Sequence, residues 1–448
     1  MAEHFLLARF AEAPQRVALR WQGRDLTYGQ LLERITASET IFRSAGIRPG
    51  EVVALVADYH PAGLAALLAL MRLGAVIAPF SEPSPERREQ LMTLTAAAWL
   101  VETELDLEPR LTARPAPPPP PPIQTLRERG HPGLVLFTSG ATGAPKGIVH
   151  DLDRLLEKFL PRRHDYSTVA FLLFDHIGGL DTMFYCLSNL SRLIAVPSRS
   201  VDDVCRVIAA ERAEVLPTSP TFLNLLLLAE AHRHYDLSSL RIITYGAEVM
   251  PPELLRRCAA AFPNVEFIQK YGASEFGALR SRSRERDSVW VKLGGEGVEI
   301  RVVNGELQIR ARSAMVGYLN APNPFTEDGW FRTGDQVEVQ GEWIRILGRK
   351  SDVINVGGDK VFPAEVESVI LQMEGVREVS VRGEPSALLG QQVVATVSLM
   401  RPEPVTAFRA RLVEFCRGKL EDFKIPQKII VVDGPLHDSR FKVVRRAS

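Results

Sequence analysis

The sequence predicts an α/β protein in two parts, a large N-terminal domain of helix-covered sheets followed by a small α+β C-terminal domain. Three observations predict it. Segments of helical length alternate with short β-type runs through most of the chain, the pattern of parallel sheets covered by helices. After about Val291 the pattern changes to short β-type runs separated by turns. From Ser351 onward helix and strand segments recur over about 100 residues, enough for a domain with its own core. At 448 residues, 46% hydrophobic and 24% charged, the chain can form more than one core.

Each element follows from local chemistry. "PAGLAALLALMRLG" (Pro61 to Gly74) has helical length and a glycine stop, and the β-type run "AVIAPF" follows it. Between Arg114 and Pro122, "RPAPPPPPP" fits neither a helix nor a central strand and is expected to be a polyproline II connector. "DDVCRVIAAERAEVLPTSPTFLNLLLLAEA" reads as an amphipathic helix, a strand around Glu214 to Leu216, a proline-marked turn and an apolar helix. "SSLRIITYGAEVMPPELLRRCAAAFPNVEFIQKYGASE" repeats the unit, with strands near Arg241 to Thr244 and Val265 to Gln269. Ligands of such sheets bind at the carboxyl ends of the strands, where "TYGAE" and "QKYGASE" fall. Further on, "VVNGEL" carries the Asn-Gly signature of a tight hairpin. The C-terminal part offers a Gly-Gly turn, a helix near Ala364 to Gln372, strands near Val376 to Arg382 and Val393 to Leu399, and a helix near Val405 to Leu420.

Composition excludes several classes. Lys+Arg and Asp+Glu both number 54, so no global field draws the protein to nucleic acid or an anionic membrane, and an anionic ligand must be held by local groups. Cys186, Cys205, Cys258 and Cys416 lack CxxC spacing and are expected to be buried free thiols rather than disulfides or a zinc site. The longest apolar run, around Leu64 to Met71, stops at Arg72, short of the roughly 20 residues a membrane helix needs. Met1-Ala2-Glu3-His4 puts no basic region ahead of a hydrophobic segment, so a cytoplasmic location is expected.

"LVLFTSGATGAPKGIVH" (Leu134 to His150) is an apolar run, then small hydroxyl and glycine residues, then one lysine. It suggests a phosphate cradle without being a P-loop, because Lys146 follows Pro145 and precedes Gly147, with no hydroxyl after the lysine. Its segment "FTSGATGAPKG" (137 to 147) is followed by "YGASE" (271 to 275), "GWFRTGD" (329 to 335), "GRKSDVINVGGDKVFPAEVE" (348 to 367) and, more loosely, "SRFKVVRR" (439 to 446). Taken in order, these five stretches resemble the adenylate-forming superfamily of acyl-CoA synthetases, nonribosomal peptide adenylation domains and firefly luciferase. "LTYGQLLERI" near residue 26 and "LMRLGAVIAPFSEP" near residue 70 also fit, so the resemblance spans nearly the whole chain.

The resemblance implies an AMP-binding domain over residues 1–348 and a small mobile domain over 349–448, with a hinge near Ser351. It further implies an ATP-dependent carboxylate ligase that forms an acyl-adenylate, releases pyrophosphate, and passes the acyl group to a pantetheine thiol. Attack of a carboxylate on the α-phosphate builds charge at phosphorus, so fixed donors, a cation and Mg²⁺ are needed. Thr138, Ser139, Thr142 and the amides of Gly140 and Gly143, with Lys146, would grip the departing pyrophosphate. Tyr271 would offer its ring to adenine and Gln269 an amide to its edge, with Gly246, Ala247 and Glu248 against the other face and Gly272 beside them. Ser274 would reach the α-phosphate and Glu275 would ligate Mg²⁺. Asp335 would accept the ribose hydroxyls, Arg349 would donate to ribose or phosphate, and Lys442 would bridge carboxylate and α-phosphate as the catalytic lysine. The catalytic set is thus Lys442, Glu275 and Thr142. Three positions depart from the pattern: Ala141 replaces a hydroxyl, Phe441 stands where glycine usually precedes the lysine, and Ser351 stands where Asp or Lys is common.

"LLFDHIGGLDTMF" (172 to 184) would line the acyl pocket. His176 with Gly178 and Gly179 resembles the His-x-x-Gly of acyl- and aryl-CoA synthetases, whereas Asp175 resembles the aspartate that holds an amino acid's ammonium. The two glycines leave room for a flat or linear acyl group, which favours a small non-amino carboxylic acid. The Gly357-Gly358 loop resembles the one presented to pantetheine. CoA and the phosphopantetheine of an acyl or peptidyl carrier protein share that arm, so both remain open as acceptors. A nucleotide-binding protein that has lost catalysis is the alternative of another class, motivated by Ala141 and Phe441.

Overall fold

Thr27 and Gln30 each accept the other's backbone N–H, a capping box that starts the helix Tyr28–Ala45, and Gly46 closes it at φ 100°. The next helix, Pro61–Leu73, has a proline in its first turn and ends at Gly74 with φ 82°. It is buried along almost its whole length and packs on Tyr28–Ala45. The longest apolar run is therefore a core helix. The computed structural model describes residues 5–81, 84–105, 107–139, 145–438 and 441–444.

Two seven-stranded sheets enclose this helical layer. In the first, Glu266–Gln269, Ile242–Tyr245, Val215–Thr218, Thr168–Ala170, Leu193–Ala195 and Val17–Trp21 run parallel in that order, and Arg24–Thr27 closes the edge antiparallel. In the second, Val76–Phe80, Val52–Val56 and Trp99–Glu102 run parallel, while the hairpin Gly133–Ser139/Pro145–Asp151 extends one side. The β-type runs expected after helical segments thus form parallel strands, as βαβ alternation requires.

Sequence from Arg280 to Arg349 builds a six-stranded antiparallel sheet. Its outer hairpin pairs Val298–Val303 with Glu306–Ala311 through Asn304 and Gly305, with φ 52° and 77°, the left-handed pair a two-residue turn demands. After strand Trp343–Arg349 comes a single 3₁₀ turn, Lys350–Asp352, and then a five-stranded sheet with the helices Pro363–Ile370 and Val405–Cys416 on a separate core.

One expectation needs correction. Residues 115–120 carry no regular structure, but Pro121 and Pro122 open the helix Pro121–Arg129. Proline lacks only the N–H that a first helical turn leaves unpaired anyway. All four cysteines are free and buried. Among the described residues no helix is long and apolar enough to cross a membrane.

Candidate active site

Strands Ile242–Tyr245 and Glu266–Gln269 pair in register, Tyr245 against Gln269, and release the segments 246–248 and 270–275 side by side. The two segments touch through backbone: a Cβ on Gly246 would lie 2.7 Å from the Lys270 carbonyl, and Ala247 adopts φ 68°. Only the missing side chain allows that approach. The second segment folds back on itself, Gly272–Ala273 pairing with Gly277–Ala278, so that Glu275 stands in the turn.

Asp335 and Arg349 face each other across adjacent strands of the antiparallel sheet, with Nε 3.6 Å from Oδ1. The Tyr271 hydroxyl donates to the other oxygen, Oδ2, at 2.6 Å. Burial pushes the Asp335 carboxyl above its usual range, against the opposing pull of Tyr271, Arg349 and Lys442. Glu248 is half-buried, and desolvation raises its carboxyl. Its Oε2 accepts from the Thr221 amide (3.2 Å) and hydroxyl (2.7 Å), and its Oε1 from the Val443 amide (2.7 Å). One carboxylate therefore joins the large sheet region to the C-terminal hairpin. Lys442, exposed on that hairpin, acts on both Glu248 and Asp335.

These groups line one cleft of about 210 Å³ between the first sheet and the C-terminal part, shared by Ala247, Glu248, Gln269, Tyr271, Gly272, Asp335, Arg349 and Lys442. Gln269 is buried, and its Oε1 has no partner among the described residues. An unpaired buried acceptor costs stability, and a ligand N–H in the cleft would remove that cost.

The lysine-bearing loop is linked through Tyr318 to the Glu275 turn, and neither Tyr318 nor Glu275 belongs to the cleft's lining. Thr138 and Lys146 pair across the hairpin, and the Lys146 ammonium stands 5.4 Å from the centre of the Tyr318 ring. The Tyr318 hydroxyl donates to Glu275 Oε1 at 2.6 Å. Asn320 clamps the loop's exit, accepting from Gly147 N at 3.0 Å and donating to Pro145 O at 2.8 Å. Gly140, Thr142 and Gly143 lie outside the described residues, as does Ala141, and Ser139 is described only as a strand residue.

Below the loop, His150 donates from Nε2 to the Ser274 carbonyl at 2.6 Å. It is fully buried, and burial lowers its pKa to about 4. The ring is neutral at pH 7. His150 props Ser274 and so the Glu275 turn.

The acyl-side residues lie away from this cleft's lining. Asp175 Oδ2 accepts from the Ser81 amide at 3.1 Å and Oδ1 meets His176 Nδ1 at 2.7 Å. Burial pushes the Asp175 carboxyl up, but the His176 contact and the backbone donors outweigh it and the pKa falls below its usual value. His176 is the residue before helix Ile177–Ser188. The expectation that Gly178 and Gly179 make room for an acyl group is corrected at Gly179. A Cβ there would stand 2.0 Å from the Leu173 carbonyl and 2.6 Å from the Tyr59 hydroxyl, so this glycine permits close packing of the chain on itself. At Gly178 the nearest atom is Leu172 Cδ1 at 3.2 Å. Gly357 and Gly358, with φ 63° and 102°, form the turn between Ile354–Val356 and Asp359–Val361, outside the cleft's lining. Ser351 is exposed within the 3₁₀ turn.

Thr221, Tyr318, Asn320 and His150 went unnoticed in the sequence. His150 alone left a signal, a polar residue ending the β-type run after the lysine.

Residues 6–319 match the AMP-binding enzyme family, and residues 365–440 match the AMP-binding enzyme C-terminal domain. The chain is 27% identical to the indoleacetate–CoA ligase of Aromatoleum aromaticum over 94% of its own length and 92% of the relative's. It is 29% identical to a feruloyl-CoA synthase from an Amycolatopsis species, covering 94% and 93%. Among solved structures it shares its fold with the anthranilate CoA ligase AuaEII in complex with anthranoyl-AMP (TM-score 0.83, 21% identity, 98% of this chain and 94% of that one). The o-succinylbenzoate CoA synthetase of Bacillus subtilis in complex with its acyl-adenylate is similar too (TM-score 0.79, 21% identity, 99% and 97%).

Proposed function

The chain belongs to the AMP-binding enzyme family, and from that premise we propose that it is an AMP-forming acid–CoA ligase acting on a small non-amino carboxylic acid. The observation that carries this reading is the meeting of Tyr271, Asp335, Arg349, Glu248 and Lys442 in one cleft at the carboxyl ends of two parallel strands. The relatives named as CoA ligases for indoleacetate and ferulate support the same reaction here, with CoA as acceptor.

In the first step a carboxylate oxygen attacks the α-phosphorus of ATP, a P–O bond forms to the acid, and the bond to the β-phosphate oxygen breaks to release pyrophosphate. Asp335 would hold the ribose hydroxyls, Gln269 the adenine edge, and the Lys442 ammonium would offset repulsion between carboxylate and phosphate. Glu275 suits a hard cation: it is a half-buried carboxylate oriented by Tyr318 through one oxygen. Mg²⁺ held there would neutralise charge on the phosphate oxygens. In the second step the CoA thiol sulfur attacks the acyl carbon, its proton leaves to solvent, and AMP departs. The C-terminal part, turning about Ser351, would exchange the Lys442 hairpin for the Gly357-Gly358 turn between the steps.

Asp175 supports the non-amino acid reading. Oδ2 already accepts from the Ser81 amide and Oδ1 already meets His176, so an ammonium would have to share oxygens that the chain's own donors hold in place.

The test is acid-dependent ATP–pyrophosphate exchange across aryl, aliphatic and amino acids. Exchange with aryl or aliphatic acids, followed by CoA thioester formation, is the expected result. ATP binding without exchange for any acid would instead favour a non-catalytic nucleotide-binding protein.

A further inference from the structure

Phe441 precedes Lys442 on the C-terminal hairpin. It sits in a tight hairpin: Phe441 N donates to Asp438 O (3.0 Å), Asp438 N to Lys442 O (3.0 Å) and Val444 N to Leu436 O (2.8 Å). Phe441 is left-handed there, with φ 53°. A bulky side chain is strained in that conformation, which glycine adopts freely.

The ring's surroundings explain why phenylalanine is there. It lies 5.3 Å from Phe222 in an edge-on arrangement and 5.6 Å from Phe171, both buried in the core beside the first sheet. On its own side it stacks on His437, 5.0 Å away and 17° from parallel. His437 is in turn paired with the buried Glu378 of the small sheet. The Phe441 carbonyl accepts from the Ser219 hydroxyl at 2.8 Å, and the amide two residues on, at Val443, reaches Glu248. The ring is the apolar part of a contact whose polar parts flank it.

We infer that Phe441 is a positioning residue that anchors the Lys442 hairpin on the large domain, and so favours the orientation that forms the adenylate. The inference rests on the proposed ligase reading for its catalytic consequence, but the anchoring itself does not. The strain at residue 441 belongs to the hairpin in either orientation. The contacts with Phe171 and Phe222 exist only when the hairpin is docked.

Phe441→Gly separates these terms, because glycine keeps the turn and removes the ring. Two aromatic contacts of this kind are worth about tenfold in a population. Acid-dependent pyrophosphate exchange should therefore fall about tenfold in kcat, with the acid's KM held within about twofold. CoA thioester formation from supplied acyl-adenylate should be at least as fast as in the wild type. Phe441→Leu, which restores an apolar side chain, should recover part of the loss. Hydrogen exchange of the ligand-free protein gives a readout independent of chemistry: the Val443 amide and the first turn of helix Pro220–Leu228 should exchange faster in Phe441→Gly.

Wild-type exchange kinetics and protection in Phe441→Gly would overturn the anchor and leave the ligase reading intact. Equal loss in both half-reactions, with a lower melting temperature, would also overturn it. Faster hydrogen exchange in the variant of a protein that activates no acid would uphold the anchor while the ligase reading fails.

Discussion

Tyr271→Phe is expected to destabilise the ligand-free protein and to tighten its binding of ATP. The Tyr271 hydroxyl donates at 2.6 Å to Asp335, whose side chain is only 17% exposed and whose other oxygen is 3.6 Å from Arg349. A hydrogen bond to a charged group contributes about 1.5–3 kcal/mol, and its loss leaves a buried acceptor unpaired. On the proposed reading, the ribose hydroxyls of ATP donate to the same carboxylate. The wild type then gives up the Tyr271 bond as it gains the ribose bonds, whereas the variant has nothing to give up.

The loss therefore falls on the free state alone. Water entering the cleft would recover part of it, so the lower end of the range applies, about 1.5 kcal/mol, which is roughly tenfold in Kd. Calorimetry with a non-hydrolysable ATP analogue, beside thermal melting with and without it, measures both halves. The variant should melt lower when free and show a Kd about tenfold smaller. Weaker or unchanged binding would mean that the hydroxyl keeps its place in the complex, and would refute the exchange of the Tyr271 bond for ribose bonds.

Lys442→Ala should slow adenylate formation about 100-fold or more, the usual loss for a fixed charge aimed at developing charge, while thioester formation from supplied acyl-adenylate survives. Equal loss in both half-reactions would refute the assignment. Ser351→Pro, which fixes φ near roughly −65°, should retain adenylate formation and lose thioester formation, and a variant that runs the full reaction normally would move the hinge elsewhere. His150→Gln tests the buried histidine. With a folded pKa of about 4 against roughly 6.5 when unfolded, the native state refuses a proton that the unfolded chain accepts. Stability should fall as pH drops through that window, by about 3 kcal/mol in all. Glutamine does not titrate, and its amide can still donate to Ser274, so the acid slope in urea unfolding should flatten. An unchanged slope would assign the acid sensitivity to another group.

The parallel strands were legible because alternation of helical and β periods is a local property, and those ending at Tyr245 and Gln269 fall within a residue or so of their expected places. The cleft residues became legible through motif resemblance, since no periodicity links Tyr271 to Asp335 or Lys442. What stayed hidden joins distant segments. Thr221 meets Glu248 and Asn320 meets Gly147 only after the sheets assemble. Two readings failed because a residue type was given one meaning. Proline was taken to forbid a helix, yet Pro121 starts one. Gly179 reads as room for an acyl group, yet the Leu173 carbonyl lies where its Cβ would stand.

The charges in the cleft suggest how the two half-reactions are ordered. In the ligand-free protein Lys442 acts on two half-buried carboxylates, Glu248 and Asp335, and lowers the cost of keeping them ionised. On the proposed reading, ATP would bring phosphates that compete for the same ammonium, and that demand would hold the hairpin in place for adenylate formation. Once pyrophosphate has left, most of the phosphate charge is gone. What would then retain the hairpin are the Val443–Glu248 and Ser219–Phe441 hydrogen bonds and the Phe441 ring. If release of the hairpin limits the second step, the same ring that aids adenylation must slow thioester formation. Phe441→Gly should then shorten the lifetime of enzyme-bound acyl-adenylate when CoA is added in a single-turnover quench experiment. A lifetime unchanged from the wild type would place the slow step in the thiol's attack rather than in the departure of the hairpin.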